Sequence, residues 1–401
     1  MRILIVFGTR PEVIKLAPVV YALRDRFDVK ILHTGQHQEM ADETVKFFKL
    51  KPDANAAILD GPKKAMSAYS RLVGKLAVLL PKMKPDAVIV QGDTMTAYVT
   101  AFCAFIHKIP VLHLEAGLRT FDKFSPFPEE MNRCLVSRLA EFHFAPTKLS
   151  ADNLLREGVP QDRIVISGNS IVDAVELGMK LMDKKAALRD LNKASPELHK
   201  ALLAGGPLTL ITSHRRENIG APLRRICKAA LTLAKRYPEH TFLWPQHRNP
   251  AVRADIRAGL GAVRPQNLIM TEGLDYQSML YVLGRVSVIL TDSGGLQEEA
   301  LAVNRPVIIL RETTERPEVV ESGLGILAGT DIARITGAYD GLARDGTRSG
   351  HIKNTVGDGK TSLRVAQLLA LPEVRKFVAD YPASSTGKLN VKNKLKAGDF
   401  R

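Results

Sequence analysis

Short runs rich in Val, Ile and Leu recur along this chain, each followed by a segment long enough for a helix, and this alternation leaves few choices of fold. Strands separated by helical segments pair in parallel through βαβ crossovers, with helices on both faces of the sheet. The first half predicts strands at about 2–7, 29–34, 87–91, 111–114 and 142–145, and the second at about 208–212, 241–244, 267–270, 286–291 and 306–310. Two comparable sets predict two doubly wound α/β domains with parallel sheets, which a chain of 401 residues is long enough to fill. The stretch around 172–206, rich in Lys, Ala, Leu and Asp, reads as helical, and Gly205, Gly206 and Pro207 after it form the strongest domain-boundary signal in the sequence. A last helical segment is expected over about 360–380, closed by Pro382.

The net charge of +15 would suit a polyanion, but the basic residues are scattered and lack interleaved aromatics, so no nucleic-acid partner is expected. The one concentration, residues 388–401, reads as a solvated, poorly ordered tail. There is no run of 18 apolar residues, and Arg2 to Phe7 is too short for a signal-peptide core, so no membrane span is expected. Cys103, Cys134 and Cys227 form no CxxC pair and are odd in number, which points to a reducing, cytoplasmic setting without disulfide or zinc site. Neither GxGxxG nor a GxxxxGK[ST] loop stands at a strand-to-helix turn, so neither a dinucleotide nor ATP held by a Walker loop is expected.

Ligands of open parallel sheets bind beyond the carboxyl ends of the strands, and the chemistry-bearing residues collect there. FGTRPEVIK, Phe7 to Lys15, follows the first strand: Gly8 allows a tight turn, Thr9 can cap, Pro11 suits a first helical turn, and Arg10 stands where a phosphate would meet the helix start. Lys15 lies about one turn after Pro11. QGDT (Gln91 to Thr94) and HLEAGLRT (His113 to Thr120) follow two further strands and aim Asp93 and Glu115 at the same crevice, although each alone could cap a helix or pair with Arg119. SPFPEEMNR, Ser125 to Arg133, offers Glu129 through a proline-stiffened loop as a third carboxylate; acidic residues in a first helical turn are also common for dipole reasons alone.

In the second half, TSHRREN, Thr212 to Asn218, places His214 and Arg215 just past a strand, a proton carrier beside phosphate-binding charge. LTDSGGLQEEA, Leu290 to Ala300, puts Ser293, Gly294 and Gly295 at a helix N-terminus, where free N–H groups hold phosphate. Glu298 and Glu299 follow at a distance from which a carboxylate could reach ribose hydroxyls, and RETTERPE, Arg311 to Glu318, adds Arg311 and Arg316 near the same place.

FGTRPE, GDT, HLEAGLRT, SPFPEE, HRREN and TDSGGLQEEA, in this order and at these spacings, resemble the non-hydrolysing UDP-N-acetylglucosamine 2-epimerase family over about residues 1–375. The resemblance implies a fold similar to glycosyltransferase-B and glycogen phosphorylase, an active site in the cleft between the domains, and a homodimer through the N-terminal domains. Its domains would be 1–175, carrying the acidic residues, and 176–365, binding UDP; a helix at 366–382 would pack back on the first, followed by a basic tail at 383–401. It implies catalytic roles for Asp93, Glu115, Glu129 and His214, and nucleotide or sugar contacts for Arg10, Lys15, Ser293, Gly294 and Glu299, with His247 in QHRNP at the same cleft. Arg215, Gly295 and Arg316 complete the expected substrate site; no metal and no cofactor are implied.

The implied reaction, which would feed cell-surface polysaccharide synthesis, inverts carbon 2 of a UDP-N-acetylhexosamine. No carbonyl flanks that carbon in the ring, so loss of UDP must accompany or precede proton removal. Which carboxylate is base and which is acid stays open. A UDP-2,3-diacetamido uronic acid substrate, a hydrolysing reaction releasing free N-acetylmannosamine, and a glycosyltransferase also remain as alternatives. Two stretches depart from the family pattern or qualify it: TGQHQEM, Thr34 to Met40, matches a regulatory helix start at Gln36 and His37 but brings Glu39, and NTVGDGKTS, Asn354 to Ser362, lacks a Pro-Tyr before its GDG.

Overall fold

The structure is a computed structural model that describes residues 1–36, 38–58, 65–247, 249–314, 316–344 and 357–389, save the side chains of 38–40, 65 and 216. The chain divides into two units, residues 1–177 with the chain from 357 onward, and residues 178–356. In the first, β1 (Arg2–Phe7), β2 (Asp28–His33), β3 (Ala54–Asn55), β4 (Ala87–Gln91), β5 (Val111–Leu114), β6 (Phe142–Ala145) and β7 (Ile164–Ile166) form one parallel sheet of order β3-β2-β1-β4-β5-β6-β7. In the second, β8 (Leu208–Thr212), β9 (Thr241–Pro245), β10 (Leu268–Thr271), β11 (Val288–Thr291), β12 (Val307–Ile309) and β13 (Gly325–Leu327) form another, of order β10-β9-β8-β11-β12-β13. The α/β class with two Rossmann-like parallel sheets, expected from the alternating pattern, is what the chain adopts.

Burial explains why the central strands were legible. Ile3, Leu4, Ile5, Val6 and Phe7 are each fully inaccessible, because helices cover both faces of the sheet. Removing each such side chain from water is worth about 1.5–3 kcal/mol, more than any local preference. All ten strands read from the sequence occur within two residues of the expected ends, whereas β3, β7 and β13, two or three residues long at sheet edges, show no pattern in the sequence.

The helical stretch before β8 resolves into Ser170–Leu181, Lys184–Ala194 and Pro196–Ala204. Asp183 and Ser195 cap the last two, and Gly205, with φ of 78°, is the left-handed C-cap of the third. Gly205 to Pro207 therefore end a helix inside the second unit, and the chain changes units within Ser170–Leu181 instead.

The second unit ends at residue 356 and not at 365. Helix Thr361–Ala370 packs on helix Arg10–Arg24 of the first unit, burying Val365, Leu368 and Leu369. Asp173 clasps its start by accepting from Ser362 N (2.8 Å), Ser362 Oγ (2.7 Å) and Thr361 N (3.3 Å). The expected single helix over 360–380 is broken at Leu371, extended before Pro372, and resumes as Pro372–Ala379. The start of the basic tail is tied down too: Arg163 donates to the carbonyls of Ser385 (3.2 Å) and Gly387 (2.9 Å), and Leu389 N to Asp162 (2.8 Å). The rest of the tail, residues 390–401, and His37 and residues 354–356 of the two departing motifs, lie outside the described residues.

Candidate functional site

The first sheet reverses its strand order between β1 and β4, which opens a crevice beyond their carboxyl ends. A Cβ on Gly8, just past β1, would lie 2.1 Å from Thr34 Oγ1 and 2.3 Å from Thr96 Oγ1, so glycine lets these two buried threonines close over the turn. Thr9 is the N-cap of helix Arg10–Arg24, Pro11 fits where no N–H is needed, and Arg10 sits half-buried at the helix start. Lys15, one turn on, is buried and bonds Glu115 through its ammonium. Glu115 also accepts from Gln91 Nε2 at 3.0 Å and holds a left-handed φ of 58°, uncommon outside glycine and a mark of a constrained site.

Asp93 sits at the end of the neighbouring strand. Arg133 bonds its carboxylate, and Asn132 Nδ2 donates to its carbonyl at 2.9 Å. The turn before it is fixed by Gly92 N donating to Leu114 O (2.9 Å) and by buried His113, whose Nε2 lies 2.8 Å from Gly92 O. Burial pushes His113 down to about 4, so its imidazole is neutral near pH 7, and the carbonyl partner requires the proton on Nε2. Glu129 opens helix Glu129–Leu139, and Asn132 and Arg133 follow it by three and four residues, on the same helix face. The helix face that grips Asp93 thus begins with Glu129, while Asp93 and Glu115 lie beyond the carboxyl ends of the neighbouring central strands β4 and β5. Glu129 is partly exposed, and its side chain forms no hydrogen bond or ion pair among the described residues. Its neighbour Glu130 is structural: buried, it accepts from the N–H groups of Thr120 (3.1 Å) and Phe121 (3.0 Å) and pairs with Arg133 at 3.2 Å. Arg119 serves neither Asp93 nor Glu115; it is bound to Glu157 at 2.6 and 2.7 Å.

The second sheet reverses between β8 and β11. The loops leaving those strands are joined by Asp292, fully buried, which accepts from Ser213 Oγ (2.7 Å), His214 N (3.0 Å), Arg215 N (3.0 Å) and Asn218 Nδ2 (2.9 Å). His214 Nδ1 lies 3.6 Å from the same carboxylate, too far for a hydrogen bond but close enough to attract a protonated ring. The His214 ring stacks on His247 with centroids 5.0 Å apart and planes 12° from parallel. Desolvation, and next the neighbouring His214, hold the His247 imidazole below its usual pKa.

Ser293 caps helix Gly294–Ala302, and its own N–H donates to Thr291 Oγ1 at 2.9 Å. Gly295 is open, with nothing within 4 Å of a Cβ built there, whereas a Cβ on Gly294 would lie 2.4 Å from Arg316 Nη1. The guanidinium of Arg316 therefore lies against the helix start, its Nε donating to buried Glu298 at 2.7 Å. Glu298 is thus committed beneath Arg316 and not aimed at a ribose, while Glu299 is half-buried beside it. Arg311 is drawn to Glu217 at 2.8 Å. The structure brings Ser293, Gly294, Gly295 and Arg316 together, and gathers His214, Arg215 and His247 around Asp292.

Sequence reasoning missed Glu12, His113, Arg133 and Asp292 as organisers of the site. Glu12 carried a signal, since Thr9 and Glu12 have the spacing of a capping box. Asp292 carried none, because its partners lie 74 to 79 residues away. Among the described residues no group of three or more His, Cys, Asp or Glu is placed to hold a metal ion.

A sequence model of the family described as UDP-N-acetylglucosamine 2-epimerase matches residues 21–370. The protein of that name from Yersinia pestis is 40% identical over 374 residues, 92% of this chain and 98% of its own length. The Escherichia coli K12 protein of the same name is 39% identical over 381 residues, covering 92% and 98%. Among solved structures, the UDP-GlcNAc 2-epimerase of Neisseria meningitidis bound to UDP-GlcNAc superposes with a TM-score of 0.84 at 37% identity, covering 92% of this chain and 99% of that one. The Methanocaldococcus jannaschii enzyme in complex with UDP-GlcNAc and UDP gives 0.75 at 32% identity, with 92% and 99% covered.

Proposed function

We propose, because this chain belongs to the UDP-N-acetylglucosamine 2-epimerase family, that it interconverts UDP-N-acetylglucosamine and UDP-N-acetylmannosamine by eliminating and re-adding UDP. The observation that carries this reading is the set of carboxylates beyond the carboxyl ends of the first sheet's central strands, two held by cations and one without a partner among the described residues.

Direct removal of the carbon 2 proton would leave an unstabilised carbanion, so the bond from carbon 1 to UDP breaks first or in step. The departing diphosphate gains negative charge, which Arg10 at its helix start, the Ser293–Gly294–Gly295 helix start, Arg316, Arg215 and His214 are suited to receive. Glu299 takes the ribose. A carboxylate then removes the carbon 2 proton to give a glycal, and UDP returns as a proton is delivered to the opposite face. Two faces require two acid/base groups. Lys15 beside Glu115 and Arg133 beside Asp93 offset the repulsion that a carboxylate trio would otherwise suffer. Glu129, whose carboxylate has no partner among the described residues, is not committed to a structural contact there. His247 supports His214 by stacking.

The protein is assigned to the cytoplasm, consistent with its three free cysteines. No described helix is long and apolar enough to cross a membrane. A homodimer through the first unit is supported by exposed apolar side chains on helices Met95–Ile106 and Glu129–Leu139, among them Phe105 (50% exposed), Ile106 (60%) and Met131 (41%).

The test is incubation with UDP-N-acetylglucosamine in deuterated water, followed by NMR. Deuterium at carbon 2 of both epimers, with the sugar still joined to UDP, is expected. Free N-acetylmannosamine would make the enzyme hydrolysing, and an unlabelled sugar would end the proposal.

A further inference from the structure

Glu12 has a surrounding that helix capping alone does not require. Its side chain is wholly buried between the loops that leave β1 and β4. One oxygen accepts from Gly8 N (2.9 Å), Thr9 N (2.8 Å) and Thr9 Oγ1 (2.8 Å), all in the loop that presents Arg10. The other accepts from Thr94 Oγ1 at 2.6 Å, a hydroxyl 82 residues away and next to Asp93. Thr94 in turn caps helix Met95–Ile106 by accepting from Ala97 N at 3.0 Å. A capping box needs only the first set of bonds. The bond to Thr94 adds a tie across the switch point of the sheet.

We infer that Glu12 is a positioning residue for the epimerisation: its carboxylate fixes the distance between the loop that presents Arg10 and the turn that presents Asp93. This rests on the catalytic reading above, and on nothing beyond the first unit. The tie links a residue that receives the departing diphosphate to one that handles the proton, so its loss misaligns chemistry more than it weakens binding.

The tie also depends on charge. Every partner of Glu12 is acting as a donor, which calls for an ionised carboxylate, while complete burial opposes ionisation and pushes the group up to about 7. The charged side chains nearby are engaged elsewhere: Lys15, three residues along the same helix, is bonded to Glu115, and Asp93, beside Thr94, is bonded to Arg133. Arg10 opens the same helix, and Met95–Ile106 carries no charged residue. Protonation would reverse the bond to Thr94, because the carboxyl would then donate to a hydroxyl that already accepts from Ala97 N.

The experiment measures kcat, KM and UDP affinity for the full-length wild type, Glu12→Gln and Thr94→Val between about pH 5.5 and 9, with Thr94→Ser as the conservative control. Glu12→Gln approximates the protonated carboxyl in shape. It is expected to lower kcat at pH 8 at least about tenfold while KM and UDP affinity stay within about threefold, and to lack the inflection near neutrality expected of the wild type. Thr94→Val should lower kcat similarly, and Thr94→Ser should restore it. The inference is overturned if Glu12→Gln keeps wild-type kcat and pH profile, if UDP affinity falls as far as kcat, or if Thr94→Val is as active as Thr94→Ser. Wild-type enzyme that incorporates no deuterium at carbon 2 would overturn the catalytic reading itself, whatever the variants do.

Discussion

At the switch point of the first sheet, carboxylates meet cations, Asp93 with Arg133 and Glu115 with Lys15, with Glu129 beside them. At the switch point of the second, one buried carboxylate, Asp292, is ringed by a hydroxyl, two backbone N–H groups and a side-chain amide, and the outward groups are histidines, arginines and a glycine-lined helix start. The two sheets share a strand order but have spent it differently. Proton transfer needs acids and bases placed where a substrate can reach them, and carboxylates in a partly open crevice beyond strand ends are suited to that. Holding a diphosphate as it leaves needs donors that do not move, and a loop wired to a buried carboxylate supplies them. On the function proposed above, the first unit would exchange protons and the second would keep its charges still.

The sharpest way to break this division is to neutralise the first unit's acids. Asp93→Asn and Glu115→Gln should each cut kcat by about 10² to 10⁴ while UDP affinity by calorimetry changes less than about threefold. Equal losses of kcat and affinity would show that these groups bind nucleotide after all.

Asp292→Ala should act mainly on stability. It strands four buried or half-buried donors, and a loss of about 3–5 kcal/mol in urea unfolding is expected, against a smaller loss for Asp93→Ala, whose side chain is 25% exposed and whose buried partner Arg133 keeps its pair with Glu130. Similar losses at the two positions would erase the contrast.

Gly294→Ala should push the Arg316 guanidinium aside and weaken UDP binding up to about tenfold with little change in thermal stability, because the end of a long side chain can yield. Gly8→Ala should do the reverse, lowering stability by about 1–3 kcal/mol as its new methyl meets two buried threonines.

The smallest effect is one of pH. Each unit holds a carboxyl that burial pushes up to about 7, Glu12 in the first and Glu318 in the second. Between about pH 4.5 and 7 the folded protein keeps protons that the unfolded chain has released, so stability declines as pH rises through that window. Glu318→Gln should narrow the difference in melting temperature between pH 5 and pH 8, as should Glu12→Gln. A narrowing for only one of them would mean that the two burials are not equivalent.

The sequence made visible whatever depends on neighbours along the chain. β1 was legible because it is buried on both faces, and the glycine-rich turn at Ser293 because a strand and a helix bracket it. Edge strands such as Ala54–Asn55 were not, since two residues cannot display a period. Asp93 and Glu115 lie beyond neighbouring strands, as the sequence suggested, but the cations that hold them were assigned wrongly or not at all: Arg119 belongs to Glu157, and Arg133, 40 residues from Asp93, was read only as the end of a motif. Such pairings are set by how strands are ordered in the sheet, which local sequence does not encode.

The return of the chain to its first unit after residue 356 has a consequence for synthesis. Val365, Leu368 and Leu369 complete the packing around helix Arg10–Arg24, yet they leave the ribosome after the whole second unit. A nascent chain can therefore close its second core while its first still shows an apolar face. The segment made earliest is the one that must wait longest, and a premature stop near residue 350 would leave an open wound in the N-terminal half, not a clean deletion of the C-terminal one.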